Sequence, residues 1–385
     1  MNQETTAKNH SAFISVSPFK IIISVISILL VLFILSVICL GSSYGGLGGA
    51  LTSLGINVQD QLGIFSNHTI NNALDGLIPI EWVYVLNDSD IVAPEPDQEA
   101  FGSTADPSSL QWLINEIGSR LNGEGMFFKS DTSLLKNSEV QYYLDDTIAV
   151  VTWKQVFHSA VYTFSEVKIN HASQFRRFLA DGKYGSDKQY LTSQMATSVN
   201  AVVASAGDFY KYRSRGLVVY NGKVERFNGT SLDSCFIDDN GNLLFSKAGE
   251  LRSAEELEKY VADNNVRFSL CFGPILIEDG VSNIPRSYPI GEITGTFSRS
   301  AICQLGDLHY LLVTVNDESG YRRFPTLYTF ASTLRDLGIK HAYTLDGGQT
   351  ATIVMNDKVI NHVSYGAERY ISDILYFATA IPDKK

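Results

Sequence analysis

The sequence predicts an α+β domain, a mixed β-sheet with packed helices, preceded by a single N-terminal transmembrane helix and a stalk. Three observations predict it. Residues 21–40 read IIISVISILLVLFILSVICL, without a charge. From about Val140 onward, short β-branched and aromatic runs bounded by turns are grouped with a few helical patterns, which argues against regular βαβ alternation. Near the C-terminus, the β-prone run Ala342-Tyr343-Thr344-Leu345 ends in Asp346-Gly347-Gly348-Gln349-Thr350, a carboxylate, two glycines and a hydroxyl at a strand end.

Residues 1–20 read as a cytoplasmic tail and residues 21–41 as an uncleaved signal anchor. At 1.5 Å per residue, a twenty-residue apolar helix spans the ~30 Å hydrocarbon layer. A cleaved signal peptide would have a shorter apolar core and a small-x-small exit site. Lys8 and Lys20 precede the helix against one acid, Glu4, so the rest of the chain is expected outside the cell membrane as a single-pass, extracytoplasmic portion. Residues 42–139 read as a Gly/Ser-rich exit and a turn-rich stalk. A helical face runs through Leu110, Leu113, Ile114, Ile117 and Leu121.

Residues 140–385 read as the folded domain. Strands are expected at Ile148-Ala149-Val150-Val151, Ala160 to Phe164, Gly216 to Tyr220 and Leu311 to Val315. Helical patterns run from Ser173 to Leu179, from Ala254 to Val261 and from Leu327 to Leu337. In the last, Leu327, Phe330, Ala331, Leu334 and Leu337 share a side.

Charge and composition exclude several classes. A net charge of −11 over 385 residues leaves no basic stripe for nucleic acid. An anionic substrate would have to be met by local Arg or Lys groups. Outside the membrane helix, Cys235, Cys271 and Cys303 allow at most one bridge, with pairing open. There is no CxxC, HExxH or EF-hand loop, and His158, His171, His309, His341 and His362 lack ligand spacing. The sequence points to no metal and no cofactor.

Five stretches carry site chemistry. Asp346-Gly347-Gly348 reads either as an Asp-Gly turn or as a ligand-facing strand end, where glycines permit positive φ and close approach. The others are Ala204 to Tyr210 with Gly207-Asp208, Cys271-Phe272-Gly273-Pro274 leading into Ile275-Leu276-Ile277, Ser298-Arg299-Ser300-Ala301-Ile302, and Gly366-Ala367-Glu368-Arg369.

In this order the motifs resemble the phosphodiester glycosidase family, which includes the uncovering enzyme, N-acetylglucosamine-1-phosphodiester α-N-acetylglucosaminidase. The resemblance covers about residues 150–380 and includes the Asn-Gly-Lys hairpin after Gly216 and Asn361. It implies an α+β fold and hydrolysis of a sugar C1–oxygen bond to phosphate. By resemblance, Asp208, Asp346 and Glu368 supply carboxylates and Arg299 binds phosphate with Ser300 and Thr350. Gly347 and Gly348 shape the floor, and Arg369 either binds substrate or pairs with a carboxylate. Which carboxylate is acid and which nucleophile depends on their separation.

The chain departs from the family at Ser205-Ala206, where an asparagine is usual, and at Ser300, Cys303, Gln349-Thr350 and Phe324-Pro325. The expected partner is a sugar-phosphate diester or envelope glycan. The expected function is a membrane-anchored hydrolase of such diesters. The alternative is a catalytically weakened relative that binds envelope glycans or phosphopolymers.

Overall fold

The computed structural model describes residues 92–380, except 122–124, 283, 290–292, 319 and 322. The tail, the expected membrane helix at 21–41 and the first half of the expected stalk lie outside the described residues.

The elements follow in chain order. β1 (Phe101–Thr104), α1 (Gln111–Arg120), β2 (Val140–Leu144), β3 (Ile148–Phe157), β4 (Ala160–Ile169) and β5 (Phe175–Leu179) come first. Next are α2 (Thr192–Ser198), β6 (Val203–Ala206), β7 (Gly216–Tyr220), β8 (Lys223–Asn228), β9 (Ser234–Asp238) and β10 (Leu243–Ser246). α3 (Ala254–Asp263), β11 (Val266–Leu270), β12 (Ile275–Ile277), β13 (Arg299–Gly306) and β14 (His309–Asn316) lead to α4 (Leu327–Asp336). β15 (His341–Leu345), β16 (Ile353–Met355), β17 (Lys358–Val359) and β18 (Asp373–Phe377) complete the fold.

An eight-stranded sheet, ordered β1-β2-β3-β4-β14-β13-β15-β12, is the central layer. One face packs on α1 and α4 through Trp153, Phe164, Leu311 and Val313 against Leu113, Ile117, Phe330 and Leu334. The other face meets a five-stranded sheet, β17-β16-β6-β18-β5, and a three-stranded sheet, β10-β9-β11. Val150, Val167, Leu312 and Tyr343 meet Phe175, Ile353, Leu375 and Ile237 there. α2 covers the outer side of the five-stranded sheet, and α3 packs on β7 and β9.

With both faces covered, every residue of β4 is buried, the polar Thr163, Ser165, Glu166 and Lys168 included. Burying each large apolar side chain contributes about 1.5–3 kcal/mol, and the core layers collect dozens. The α+β class is as expected. All pairings between the named strands are antiparallel, which refines the expected mixed sheet.

Two expectations require correction. The domain does not start at 140. β1 pairs in register with β2, and Leu110, Leu113, Ile117 and Phe128 belong to the main core. A buried carboxylate on β4, Glu166, also accepts from the backbone N–H groups of Phe127 and Phe128 at 2.5 and 2.6 Å. The described part of the expected stalk is therefore integral to the fold. Ser173 to Leu179 is not a helix either. Only Ala172–Gln174 forms a single 3-10 turn, and Phe175–Leu179 is β5, paired along its length with β18.

The other expected strands and the two later helices are present. The Asn221-Gly222 hairpin has φ of 50° and 73° at its two turn residues, as a two-residue type I′ turn demands. Cys235, Cys271 and Cys303 are each free and buried.

Candidate active site

The cleft opens where β15 ends and β13 begins. These strands pair antiparallel, with Ser300 opposite Leu345, so Asp346 leaves the sheet beside Arg299 as that residue enters it. A cleft of ≈ 290 Å³ lies over this end, lined by Asp346, Gly347 and Gly348, by Ser298 and Arg299, and by Phe272, Phe297, Ile293 and Leu327. Its size is close to the lower end of the ~300–1,000 Å³ usual for small-molecule sites.

The two glycines set the approach. Gly348 has φ +61° and donates its N–H to the Ser298 carbonyl at 2.9 Å. A Cβ on Gly347 would collide with that same carbonyl. Only glycines let the turn close onto the start of β13, holding Asp346 and Arg299 on one wall.

Asp346 is half-buried, and burial pushes its pKa up to about 6, opposed by the Thr350 hydroxyl and by the charges of Arg369 and Arg213. Arg299 donates to the Gly295 carbonyl at 2.7 Å, with its guanidinium 5.4 Å from the Phe297 ring centre. Arg213, half-buried, stands 4.4 Å from the Phe272 ring centre and 5.2 Å from that of Phe209. Burial lowers its pKa, with Asp208 and Asp346 opposing. Arg369 is exposed, its guanidinium lying over Phe209 and Tyr212 at 5.4 and 5.2 Å. Among the described residues neither Arg213 nor Arg369 has a carboxylate within ion-pair distance. Of the two roles expected for Arg369, this favours the ligand-facing one.

Asp208 is placed differently. It follows β6 directly but is buried, with Oδ1 accepting from Arg177 Nη2 at 2.9 Å and from the Tyr210 N–H at 2.8 Å. Its Oδ2 accepts from the Cys271 N–H at 2.8 Å. Arg177 also binds Asp373 through Nε and Nη2, at 2.9 and 2.8 Å, and donates to the Ser269 carbonyl. Asp373 Oδ2 in turn accepts the Asp208 N–H at 3.1 Å. Burial alone would lower the Arg177 pKa, but the two aspartates hold it well above its ordinary value. Burial pushes Asp373 up to about 7, countered by Arg177 and reinforced by Asp208.

This cluster lies behind the cleft. Asp208 holds the backbone just before Phe272, and the Gly207 carbonyl accepts the Asp346 N–H at 3.3 Å. A side chain on Gly207 would strike the Asp373 carboxylate, which is why glycine stands before Asp208.

Glu368 is not in the cleft lining. It accepts from the Ser193 N–H at 3.0 Å and the Ser193 hydroxyl at 2.6 Å. The residue before α2 is Leu191, which has no capping oxygen, so Glu368 satisfies a first-turn donor of that helix from 175 residues away. Both of its oxygens are engaged at this helix start, outside the cleft lining. Ser300 is fully buried inside β13, and its neighbour Ser298 lines the cleft instead. Thr350 is also buried and acts on Asp346 from behind.

The structure thus brings Arg299, Asp346, Gly347 and Gly348 together, with Arg369 at the rim. It sends Asp208, Ser300 and Glu368 elsewhere. Sequence reasoning missed Arg213, Phe209, Phe272 and Phe297 as individual contributors. The available signal was a cation among aromatics, Phe209-Tyr210-Lys211-Tyr212-Arg213, directly after the Gly-Asp pair.

Residues 198–378 match the family model for phosphodiester glycosidase. A relative, the SPbeta prophage-derived uncharacterized protein YomE of Bacillus subtilis (strain 168), is 24% identical over 198 residues. That match takes in 50% of this chain and 30% of the relative, so the chain spans less than a third of that protein's length. Similar solved structures include the zebrafish N-acetylglucosamine-1-phosphodiester alpha-N-acetylglucosaminidase catalytic domain, auto-inhibited by its pro-peptide. It has a TM-score of 0.47 and 16% identity, covering 77% of this chain and 97% of that one. A hypothetical protein from Synechocystis has a TM-score of 0.43 and 14% identity, covering 64% of each chain. Every residue that lines the cleft falls inside residues 198–378, the stretch that matches the phosphodiester glycosidase family model.

Proposed function

We propose that the chain is a membrane-anchored, extracytoplasmic hydrolase that cleaves the sugar C1–oxygen bond of a sugar-1-phosphodiester in cell-envelope glycans, with a GlcNAc-1-phosphodiester as the type of substrate. One observation carries the reading. A single carboxylate, Asp346, faces a cleft where Arg299 stands beside it and the charges of Arg213 and Arg369 act on it. In a chain of net charge −11, this local excess of cations calls for an anionic ligand. Guanidinium groups match phosphate oxygens in pairs.

The chemistry needs little more. Breaking the C1–oxygen bond leaves positive charge on the sugar, which an adjacent carboxylate stabilises. The electron pair of the broken bond goes to the phosphate oxygen, and the phosphomonoester departs as an anion without prior protonation. One carboxylate therefore suffices where an alcohol leaving group would require an acid as well. Water adds to C1 and gives up its proton, and Asp346, with a pKa raised to about 6, is ionised and able to accept it at neutral pH. The Gly347-Gly348 turn, bonded to the Ser298 carbonyl, and the Asp346 N–H bond to Gly207 hold that residue in place.

The test is turnover of a GlcNAc-1-phosphodiester by the detergent-solubilised full chain. Free sugar and a phosphomonoester are expected, with the rate rising as pH passes upward through about 6 as Asp346 ionises. Asp346→Asn is expected to lower turnover by about 10³-fold, about 4 kcal/mol, with an unchanged melting temperature. The engagement of Asp208 and Glu368 elsewhere favours a second reading, a glycan or phosphopolymer binding module. Ligand binding without turnover of any sugar-1-phosphate diester selects it.

A further inference from the structure

The loop 364–370 is tied twice to the segments that form the cleft wall. The Ser298 and Ser364 hydroxyls share a hydrogen bond of 2.8 Å, and Gln349 Nε2 donates to the Ala367 carbonyl at 3.0 Å. The loop presents Tyr365, 89% exposed, and Tyr370, 57% exposed, with Arg369 between them. Across from Arg369, Phe209 and Tyr212 stack at 4.4 Å and 20°, and the Tyr212 hydroxyl donates to the Tyr370 carbonyl at 3.1 Å. Phe297, which lines the cleft itself, is 43% exposed.

Single exposed apolar side chains are ordinary. Here, of the nine most exposed large hydrophobic side chains among the described residues, Phe297 lines the cleft, Tyr212 is near enough to Asp346 to feel its charge, and Tyr365 and Tyr370 stand on the loop tied to Ser298 and Gln349. That concentration points to a ligand.

We propose that this rim is a platform for further sugar units, so that the substrate is a phosphate-linked glycan chain and not a lone sugar-phosphate diester. The proposal rests on the reading of the cleft given above and extends it outward. A pyranose ring has a C–H face that packs on an aromatic ring and a hydroxyl edge that bonds to polar groups, and tyrosine offers both an apolar face and a polar tip. A glycan with phosphate between its sugars alternates these faces with negative charge. The rim alternates rings with cations in the same way: Tyr365, Arg369 and Tyr370 on the loop, with Phe209, Tyr212 and Arg213 beside it. A protein partner would call for a dry apolar centre depleted of charge, and these rings are interleaved with guanidinium groups.

Binding to the full-length Asp346→Asn protein tests this without turnover. The probes are a methyl GlcNAc-1-phosphate diester and an oligomer of phosphate-linked N-acetylglucosamine, titrated calorimetrically. The oligomer is expected to bind at least about tenfold more tightly. Adding Tyr365→Ala and Tyr370→Ala should bring it to the level of the single unit, whose affinity stays unchanged. Equal affinity for both probes, or an oligomer preference that survives both tyrosine substitutions, overturns the platform. Loss of phospholipid-vesicle binding in the tyrosine variant, with no discrimination between the glycans, overturns it in favour of a lipid surface. Oligomer preference with no hydrolysis by the wild type sinks the hydrolase reading and leaves the platform standing. Hydrolysis of the single-unit diester without oligomer preference does the reverse.

Discussion

Two strand ends in this molecule carry nearly the same local pattern, an aspartate next to glycine at the end of a β-branched or small-residue strand. At the end of β15, Asp346 faces a cleft and has no ion pair within the described residues, only charges acting on it from nearby arginines. At the end of β6, Asp208 is buried, paired with Arg177 and saturated by two backbone N–H groups. The difference lies in what lies opposite each strand end. β15 is interior to the eight-stranded sheet, between β13 and β12, and its end opens on the cleft. β6 is interior to its own sheet, between β16 and β18, where Arg177 on β5 and Asp373 on β18 close over it. A carboxylate at a strand end becomes a site only where the neighbouring strands leave it space.

The comparison breaks first at Arg177. If the Asp208 end is a structural cluster, Arg177→Met leaves two buried carboxylates facing each other and should cost about 3–5 kcal/mol of stability, read from urea midpoints. A stable Arg177→Met protein that has lost only turnover would move Asp208 into the catalytic set and erase the contrast with Asp346.

A smaller effect sharpens the assignment of Glu368. Its hydrogen bonds to Ser193 start α2, so Glu368→Gln should lower stability by about 1 kcal/mol, a helix-cap loss. Turnover per folded molecule should stay the same. A loss of kcat at unchanged stability would restore the catalytic role that its position after Gly366-Ala367 suggested.

Much of the fold was legible because its strands are buried on both faces. Runs such as those in β3, β4 and β14 are too short and too β-branched for helices. Ser173 to Leu179 misled because Arg176 and Arg177 are both buried. A strand with charged side chains taken into the interior on both faces breaks the polar–apolar alternation that identifies strands. The segment 92–139 read as stalk because its anchors are distant: Glu166 is 38 residues from Phe128, and β1 is joined to β2 through a helix and a long loop.

In the site, Arg299, Asp346, Gly347 and Gly348 were legible because one strand end and its immediate partner carry them. Glu368 was not, since nothing local to it reveals that Leu191 leaves α2 without a cap. Arg213 depends on Phe272, 59 residues on, for half of its aromatic enclosure.

The subtlest prediction separates the two aspartate ends by pH. Asp373 is raised to about 7 in the folded protein, first by burial and then by Asp208, whereas an unfolded aspartate titrates near 3.9. Across that window the native state keeps a proton that the unfolded chain has released. Stability therefore falls as pH rises from about 4 toward 7, by the linkage between proton binding and folding. Asp373→Asn keeps an acceptor for Arg177 and for the Asp208 N–H but has no proton to lose. The decline in melting temperature between pH 5 and 8 should be shallower in this variant than in the wild type. The pH at which turnover rises, governed by Asp346, should stay near 6. If Asp373→Asn displaced that kinetic limb instead, the buried cluster and the cleft would titrate as one system, and the two strand ends would have to be treated as parts of a single site.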